Sequence, residues 1–455
     1  MKTYKPMVVA LGLATGLTLG AAGAHAAVTA EEAAKLGDTL TPVGAIKAGN
    51  KEGTIPAWTG GLTKAPAGSA PKHGYVDPYA DDKPTVRITA ENMAQYADKL
   101  DQSQAELLKR NPGYYLDIYP THRPMALPQA VYDATARNAT ACKILKDGLA
   151  VDPACRGGLP FPIPKSGFEV MWDFLLNYQP SIKLSDYGGW VVDTSGTPFM
   201  ATAQNGYTER SYYLGNLRSD PQLFYFNYSN STYPARSKGE IVGYSDFLDP
   251  LSYPRKAFHY DPGQRRVKAA PSFSYDTPIG NIGGVMLYDE LFMFSGAMDR
   301  FDFKLVGKKE MYIPYDSYKQ EWQCRGAKLL AAKTINPACE RWELHRVWVV
   351  EATLKSGMRH AYGKRTFYID EDGYAAGMSD SFDHSGKLYR GEFLYPSQIY
   401  DVPFMYAGET SVYDFVKGNF TAQSVLNDNG WLDFHSKPLD ERDMSPDALS
   451  GSGND

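Results

Sequence analysis

The second half of the chain is built from short runs in which apolar and polar side chains alternate, separated by Asp, Gly, Pro and Asn. Alternation places one set of side chains on a buried face and the other set on the opposite face, as in a half-buried strand. The clearest run has Trp342, Leu344 and Trp348 on one face and Glu343 on the other. The pattern predicts an antiparallel β-sheet over residues 187–440.

Aromatic residues are the second strong signal, because 32 Tyr, 20 Phe and 7 Trp make up 13% of the chain. Aromatic side chains suit the pleated surface of a sheet. They also line apolar ligand sites that have polar rims. In one predicted strand Phe224, Phe226 and Tyr228 share a face. The composition therefore fits a β-rich core and an apolar ligand surface, two interpretations that are compatible.

The first part of the chain has helical periodicity instead. We predict helices over residues 89–110, from Pro128 to about Leu145, and over residues 167–178. The last of these is apolar nearly all round, and such a helix is either fully buried or covers an apolar cavity. Helices followed by strands indicate an α+β fold with helices packed against one antiparallel sheet.

The chain shows no change of composition after residue 180 that would require a second domain. We therefore expect residues 89–455 to form a single domain, with a helical part at 89–180 and the sheet at 187–440. Residues 27–88 begin with a capping-box pattern at Thr29 and Glu32 and continue as a Gly- and Pro-rich stretch without periodicity. This segment is predicted to be an extended N-terminal arm over the domain, which Trp58 would pin by burying its ring.

The N-terminus has the features of a secretory signal peptide. Lys2 and Lys5 precede an apolar run over residues 7–22, and the sequence Ala-His-Ala at 24–26 is a small-x-small cleavage site. We expect residues 1–26 to be removed after Ala26 and the mature protein to lie in the periplasm. An uncleaved membrane anchor is the alternative, although the run is short for a bilayer span and is broken by glycines. No later stretch is long and apolar enough to span a membrane.

The four cysteines fall in two local pairs, Cys142 with Cys155 and Cys324 with Cys339. Four cysteines allow three pairings, and their clustering favours the two short loops. In an oxidising compartment we expect two disulfides. A zinc site is the alternative, but neither pair has the short cysteine spacing or the nearby histidines that zinc requires.

Motifs for several reaction classes are absent from the sequence. There is no nucleophile elbow, no phosphate-binding loop, no dinucleotide-binding fingerprint and no zinc-protease motif. The net charge of -5 argues against a nucleic-acid partner, because neutralising phosphates needs a basic surface. We therefore expect no catalytic residues, no metal and no cofactor.

Two acidic patterns and one histidine require interpretation. Residues 370–373 (DEDG) lack the extension of a calcium-binding loop and are interpreted as a solvated turn. His345 is interpreted as a surface or hydrogen-bonded histidine. Glu310, Glu351 and Glu392 lie in or near predicted strands, where paired carboxylates of a glycosidase could also lie.

Several strings distributed over nearly the whole mature chain resemble a proteobacterial periplasmic family of unknown function, often encoded beside RND-type exporters and related to outer-membrane lipoprotein-sorting proteins. They are 40–45 (LTPVGA), 53–61 (GTIPAWTGG), 158–164 (GLPFPIP), 260–267 (YDPGQRRV), 307–310 (GKKE), 345–352 (HRVWVVEA) and 368–372 (YIDED).

This resemblance implies the fold of the lipoprotein carriers, a strongly curved, open antiparallel half-barrel with an apolar interior and helices in or over its concave face. The string 265–268 followed by 271–275 looks like the carriers' strand and lid-contacting segment. The chain is more than twice the length of a simple carrier and has an added arm. The resemblance therefore implies a carrier of hydrophobic molecules in general.

These observations favour a periplasmic binding or transfer protein for a lipid-like or other hydrophobic molecule, working with an RND-type exporter or an outer-membrane partner. The alternatives are a scaffolding partner of an envelope complex and a secreted, carboxylate-dependent hydrolase or lyase. The predicted ligand-binding residues come from the third helix and two strands: Trp172, Phe174, Phe224, Phe226, Trp342 and Trp348.

Overall fold

The computed structural model describes Met1 and residues 28–69 and 74–452. The predicted cleavage site after Ala26 and the apolar run before it lie outside the described residues. None of the helices in these ranges is long and apolar enough to cross a membrane.

Strands dominate the described part of the chain. They are β1 (Val86–Ile88), β2 (Leu116–Ile118), β3 (Ile144–Leu145), β4 (Ala150–Val151), β5 (Ile182–Val192), β6 (Pro198–Glu209), β7 (Leu223–Tyr233), β8 (Ile241–Phe247), β9 (Lys256–Asp261), β10 (Arg266–Ala269), β11 (Phe301–Pro314), β12 (Trp342–Leu354), β13 (Lys364–Asp370), β14 (Gly377–Phe382), β15 (Leu388–Leu394), β16 (Ser397–Ile399), β17 (Phe404–Tyr406), β18 (Thr410–Asp414) and β19 (Asn419–Asp433). The helices are α1 (Ala30–Ala33), α2 (Gln102–Arg110), α3 (Gln129–Ala141), α4 (Gly167–Leu175), α5 (Tyr318–Gln323) and α6 (Pro446–Ser452).

Fifteen of the strands form one sheet in the order β1-β2-β12-β13-β14-β15-β18-β19-β5-β6-β7-β8-β9-β10, with β11 also paired to β12. All neighbours are antiparallel except for one parallel pair, Trp342 with Ile118, between β12 and β2. In the described part of the chain the ends of the sheet, β1 and β10, do not pair with each other, so the sheet stays open. The predicted α+β class and the open antiparallel sheet are confirmed.

The central strands are irregular where the sheet must bend. The pairing of β5 with β6 shifts between Leu184 and Tyr187. The pairing of β19 with β5 shifts between Ala422 and Val425, where Ser424 has a φ of 58°. Extra residues of this kind bend a strand and increase its local twist. They therefore curve the sheet around the interior.

The all-round apolar segment forms α4, which packs against β11 and β12. Its first turn is capped by Ser166, whose side chain accepts the backbone N–H of Glu169 at 3.3 Å. All seven side chains from Glu169 to Leu175, apolar and polar, are buried. The helix ends at Leu175, three residues before the predicted end, and the next residues turn towards the sheet.

Two other helices differ from the prediction. Residues 89–110 contain a 3₁₀ turn, Met93–Tyr96, and then α2, because Asp101 starts a new helix by accepting the backbone N–H of Gln104 at 2.6 Å. The second helix ends at Ala141 because the following Cys142 has an extended backbone and leads into β3. The long strands of the sheet begin at β5, five residues before residue 187, and the short strands β1 and β2 from the helical part also join the sheet.

The described parts of the N-terminal segment lie against the domain. The capping box at Thr29 and Glu32 is present at α1. Val43 and Ile55 are buried. Trp58 is half-buried and not fully buried as predicted, and it anchors the segment by donating its indole N–H to the carbonyl of Met125 at 2.8 Å.

The main hydrophobic core contains residues from the helices, from the arm and from the large sheet. A smaller core on another face of the sheet includes Tyr207, Phe226 and Leu449, and α6 packs there against β8, β9 and β10. Both predicted disulfides are confirmed, with Cα–Cα distances of 5.3 Å for Cys142–Cys155 and 6.1 Å for Cys324–Cys339.

Candidate functional site

A cavity of about 70 Å³ lies between the C-terminal end of α4 and strands β5 to β8. The helix contributes Phe174 and Leu175, and β7 contributes Phe224 and Tyr225. Further walls come from β15, β17, β19 and the loop between β10 and β11. The cavity is thus enclosed by segments from both the helical part and the sheet.

The aromatic wall depends on an irregularity in β7. Leu223 pairs with Phe247, but the next pair is Tyr225 with Asp246, so β7 contains one extra residue at this point. A shift of one residue reverses which side chains point to a given face. Phe224 and Tyr225 therefore both line the cavity, whereas Phe226 lies in the smaller core. The prediction that Phe224 and Phe226 share a face is wrong for this reason.

The six predicted binding residues are only partly brought together. Phe174 and Phe224 line the cavity. Trp172 lies behind them, with its ring 6.2 Å from that of Phe224 in an edge-on arrangement and its indole N–H donated to the carbonyl of Gly148 at 2.8 Å. It therefore supports the wall.

The two tryptophans of β12 are not among the cavity-lining residues. Trp342 is buried and packs edge-on against Phe393 at 5.7 Å. Trp348 is half-buried beneath Lys308, whose Nζ lies 4.0 Å from the centre of the ring. Their contacts are those of the sheet, and a role for them in ligand binding stays a prediction.

Residues 288–295, which we call the inner loop, contribute Phe292, Phe294 and Ser295 to the cavity. Phe292 and Met293 have φ values of 54° and 73°, and such left-handed conformations cost about 1–3 kcal/mol each for residues other than glycine. Two buried groups hold the strained backbone: Glu392 accepts the N–H of Met293 at 2.9 Å, and Arg365 donates to its carbonyl at 3.0 Å. The sequence here has no periodicity, which is why the inner loop was not predicted.

Arg210 is the cationic group of the cavity wall, and it has no ion pair within the part of the chain that the structure describes. Its guanidinium lies over the ring of Tyr225, 4.5 Å from the centre. Its Nε is fully enclosed and, among the described residues, has no hydrogen-bond partner. Burial lowers the pKa of this guanidinium. The residue as a whole is half-buried, and a charged group that is enclosed in this way is normally paired.

The carboxylate of the cavity wall is already engaged. Asp246 accepts two hydrogen bonds from Arg255, at 2.7 and 2.6 Å. Arg255 also donates to the hydroxyl of Ser295 at 2.6 Å. Because Asp246 and Arg255 neutralise each other, the lining carries a net positive charge on Arg210.

The remaining polar groups on the wall are neutral. Burial raises the pKa of Tyr187 and of Tyr406 above the usual value for a phenol, so both stay protonated. The hydroxyl of Tyr406 and the side-chain oxygen of Asn177 have no hydrogen-bond partner among the described residues. The site therefore combines apolar walls with a few free polar atoms and one cation, an arrangement typical of small-molecule sites.

The acidic residues 370–372 are buried, and the expectation of a solvated turn is wrong. Asp370, Glu371 and Asp372 are 1%, 2% and 3% exposed. Arg123 donates two hydrogen bonds to Asp372, at 2.8 and 2.5 Å, and Lys308 donates to Glu371 at 2.5 Å. Tertiary contacts thus supply the countercharges that local sequence does not show.

His345 and Asp370 belong to the same buried region. His345 is 1% exposed, stacks on Tyr315 at 3.7 Å and lies 3.3 Å from a carboxylate oxygen of Glu343, so it is a hydrogen-bonded core histidine and not a surface one. Burial, followed by the charge of Asp372, raises the pKa of Asp370 well above its usual value.

One group in the described residues has the composition of a metal site: a nitrogen of His345 and oxygens of Asp370 and Asp372 lie within 4.8 Å of one another. However, both oxygens of Asp372 are already bonded to Arg123. A cation held at this point would be repelled by that guanidinium. The geometry is therefore better explained as a network that holds the end of β13 in the core.

Residues 87–450 match the model of a protein family described as a protein of unknown function, DUF1329. The chain belongs to the DUF1329 family. A second sequence, the uncharacterized protein PA3922 of Pseudomonas aeruginosa, is 40% identical over 460 residues, which cover 100% of both chains. The family resemblance noted in the sequence is confirmed.

Solved structures show more distant similarity. A DUF1329 family protein from Desulfovibrio piger is 13% identical, with 62% of this chain and 97% of that chain covered and a TM-score of 0.42. A domain described as an outer membrane lipoprotein-sorting protein domain, from Vibrio parahaemolyticus, has the same identity, coverage and TM-score. The LolA superfamily protein NE2245 from Nitrosomonas europaea is 9% identical, with 62% and 99% covered and a TM-score of 0.37. These likenesses are too distant to support conclusions about function.

Proposed function

We propose that this protein binds a lipid-like or other hydrophobic molecule in the cavity beneath α4 and transfers it through the periplasm, together with an RND-type exporter or an outer-membrane partner. The observation that carries the proposal is the composition of the cavity wall. About half of its lining residues are apolar, including Phe174 and Phe224, and the other half carry polar side chains. Burying apolar ligand surface contributes about 0.8 kcal/mol per methylene group.

The cavity must widen to accept such a ligand. Its volume of about 70 Å³ is below the roughly 150 Å³ of a cavity that admits benzene. The inner loop is the element suited to this movement, because Phe292 and Met293 are strained in the closed form. Strain of this kind favours a second conformation in which the backbone relaxes. Ligand entry would therefore accompany displacement of Phe292 from the wall.

The compartment is supported by the signal-peptide pattern and by the disulfides. In the first disulfide both Cys142 and Cys155 are buried, and in the second Cys339 is buried. Disulfides persist in oxidising compartments such as the periplasm. The exporter partnership is supported only by the family resemblance, and it is the part of the proposal that a pull-down with cross-linking would test.

The hydrolase alternative finds no support at the cavity. Among the described residues, the lining has one carboxylate, Asp246, and this group is bound by Arg255. A carboxylate-dependent hydrolase needs two carboxyl groups with separate acid and base roles. We therefore favour binding and transfer.

The proposal is tested with a variant that fills the cavity. Ala407 is buried on its wall, and Ala407→Leu adds three carbon atoms there. We expect this variant to lose binding of the neutral fluorophore N-phenyl-1-naphthylamine at least tenfold, measured by fluorescence titration. The control is Ala235→Leu, at an exposed position outside the lining.

Circular dichroism establishes that both variants are folded. Native mass spectrometry and solvent extraction of the wild-type protein test for a hydrophobe that co-purifies. Equal fluorophore binding by the two variants would place the site elsewhere. A wild-type protein that neither binds the fluorophore nor yields a hydrophobe on extraction would contradict the proposal.

A further inference from the structure

Arg210 is the feature of the cavity that the binding of a purely apolar molecule does not explain. A guanidinium stays charged at neutral pH, and burying it without a partner is costly. An apolar ligand would increase this cost, because it would exclude the remaining water from the charge. The residue therefore indicates something about the ligand beyond its apolar surface.

The neighbouring Arg255 is an arginine in similar surroundings that does have an ion pair. Each of the two guanidinium groups lies over a tyrosine ring: Arg210 is 4.5 Å from the centre of Tyr225, and Arg255 is 4.3 Å from that of Tyr244. The two rings are 5.6 Å apart. Arg255 has a bidentate carboxylate, Asp246, whereas Arg210 has no ion pair among the described residues.

Two carboxylates close to Arg210, Glu209 and Asp246, are both engaged by other arginines. Its sequence neighbour Glu209 is bound by Arg218 through two hydrogen bonds, at 2.7 and 2.6 Å, and also accepts from Tyr207. Asp246 is held by Arg255. Neither carboxylate is therefore available to pair with Arg210, and a ligand can supply the counter-ion.

We propose that the ligand is an amphiphile with an oxyanion head, a carboxylate or a phosphate monoester, and an apolar tail. The oxyanion pairs with Arg210, and the tail lies along Phe174 and Phe224. Arginine presents N–H groups in a planar fork that matches both kinds of oxyanion. This inference rests on the proposed function, since it assigns the ligand of the same cavity.

The test compares three ligands that share one tail: dodecanoate, dodecyl phosphate and dodecan-1-ol, titrated below their micelle-forming concentrations by calorimetry. Wild-type protein is expected to bind the two anions at least tenfold more tightly than the alcohol. In Arg210→Met the anions should lose about ten- to a hundredfold in affinity, as expected for hydrogen bonds to a charged group, while the alcohol is unchanged. The control is Arg442→Met, which removes an arginine that is 82% exposed.

The outcomes separate this inference from the proposed function. If the alcohol binds as tightly as the anions and Arg210→Met changes nothing, hydrophobe binding stands and the inference is overturned. If acetate and inorganic phosphate bind as tightly as the amphiphiles, Arg210 serves a free oxyanion, and the inference is again overturned. If none of the three ligands binds to the wild-type protein, the proposed function itself fails.

Discussion

The cavity beneath α4 and the acidic segment at residues 370–372 are two buried polar regions with opposite organisation. In the acidic segment, Arg123 and Lys308 neutralise Asp372 and Glu371 through direct hydrogen bonds. In the cavity, Arg210 has no counter-ion among the described residues. In the first region Asp372 and Glu371 are paired within the protein, whereas in the second Arg210 has no ion pair among the described residues.

This difference separates structural charges from functional ones. Breaking a buried ion pair leaves an uncompensated charge and is strongly destabilising. A half-buried charge without an ion pair contributes nothing comparable to stability, so its presence indicates another role. The two arginines, Arg123 and Arg210, are therefore expected to differ strongly in their response to the same substitution.

The largest expected effect is on stability at Arg123. Arg123→Met should lower the free energy of unfolding by about 3–5 kcal/mol, because it leaves Asp372 buried without its partner. Arg210→Met should change it by less than about 1 kcal/mol, since no ion pair is lost. Urea denaturation at pH 7 measures both. Similar losses for the two variants would remove the distinction between the regions.

The second largest effect is the pH dependence of the stability change at Asp370. The pKa of Asp370 is raised in the folded protein, first by burial and then by Asp372. Because the folded state favours the protonated carboxyl group, this group contributes stability at pH values below its unfolded-state pKa. That contribution is lost as the pH rises towards and through the folded-state pKa, and above it the buried charge costs stability. Asp370→Asn should therefore stabilise the protein at pH 7, by on the order of 1–2 kcal/mol, and have little effect at pH 3.

Denaturation at several pH values tests this difference. Because the asparagine oxygen can still accept from the hydroxyl of Tyr315, which lies 3.2 Å from Asp370, the hydrogen bond itself is retained. An advantage of Asp370→Asn that is equal at pH 3 and pH 7 would show that ionisation is not its cause.

The smallest stability effect is expected in the inner loop. Phe292→Asn exchanges a strained aromatic residue for one that tolerates a positive φ, so relief of strain offsets the lost ring contacts to within about 1 kcal/mol. Removal of the ring should speed the release of N-phenyl-1-naphthylamine several-fold, measured by stopped-flow fluorescence. Unchanged release with wild-type stability would mean that the inner loop does not gate the cavity.

Local sequence was sufficient for elements whose signals lie within a few residues. The alternation in β12, the capping box of α1 and the apolar helix α4 were all predicted from short patterns, because each reflects backbone geometry and neighbouring side chains. The two disulfides were predicted from cysteine spacing. Helix ends were less accurate, since Asp101 competes as a cap within the first predicted helix.

The candidate site was predicted only in part, since the sequence indicated Phe174 and Phe224 but not which neighbours join them. The extra residue in β7 reverses the side-chain alternation after Phe224, and nothing in residues 222–228 marks it. Arg210 carried no signal either, because whether an arginine is paired depends on residues that are distant along the chain.

The sequence by itself determined that the chain forms an antiparallel sheet with an apolar covering helix and two disulfides, because periodicity and cysteine spacing are local properties. Only the tertiary structure decided which charges are matched. Arg123 meets Asp372 across 249 positions of the chain, whereas Arg210 lies on the wall of the cavity without an ion pair among the described residues. Electrostatic pairing depends on distances in space, and these are set only when the sheet has curved and α4 has packed against it.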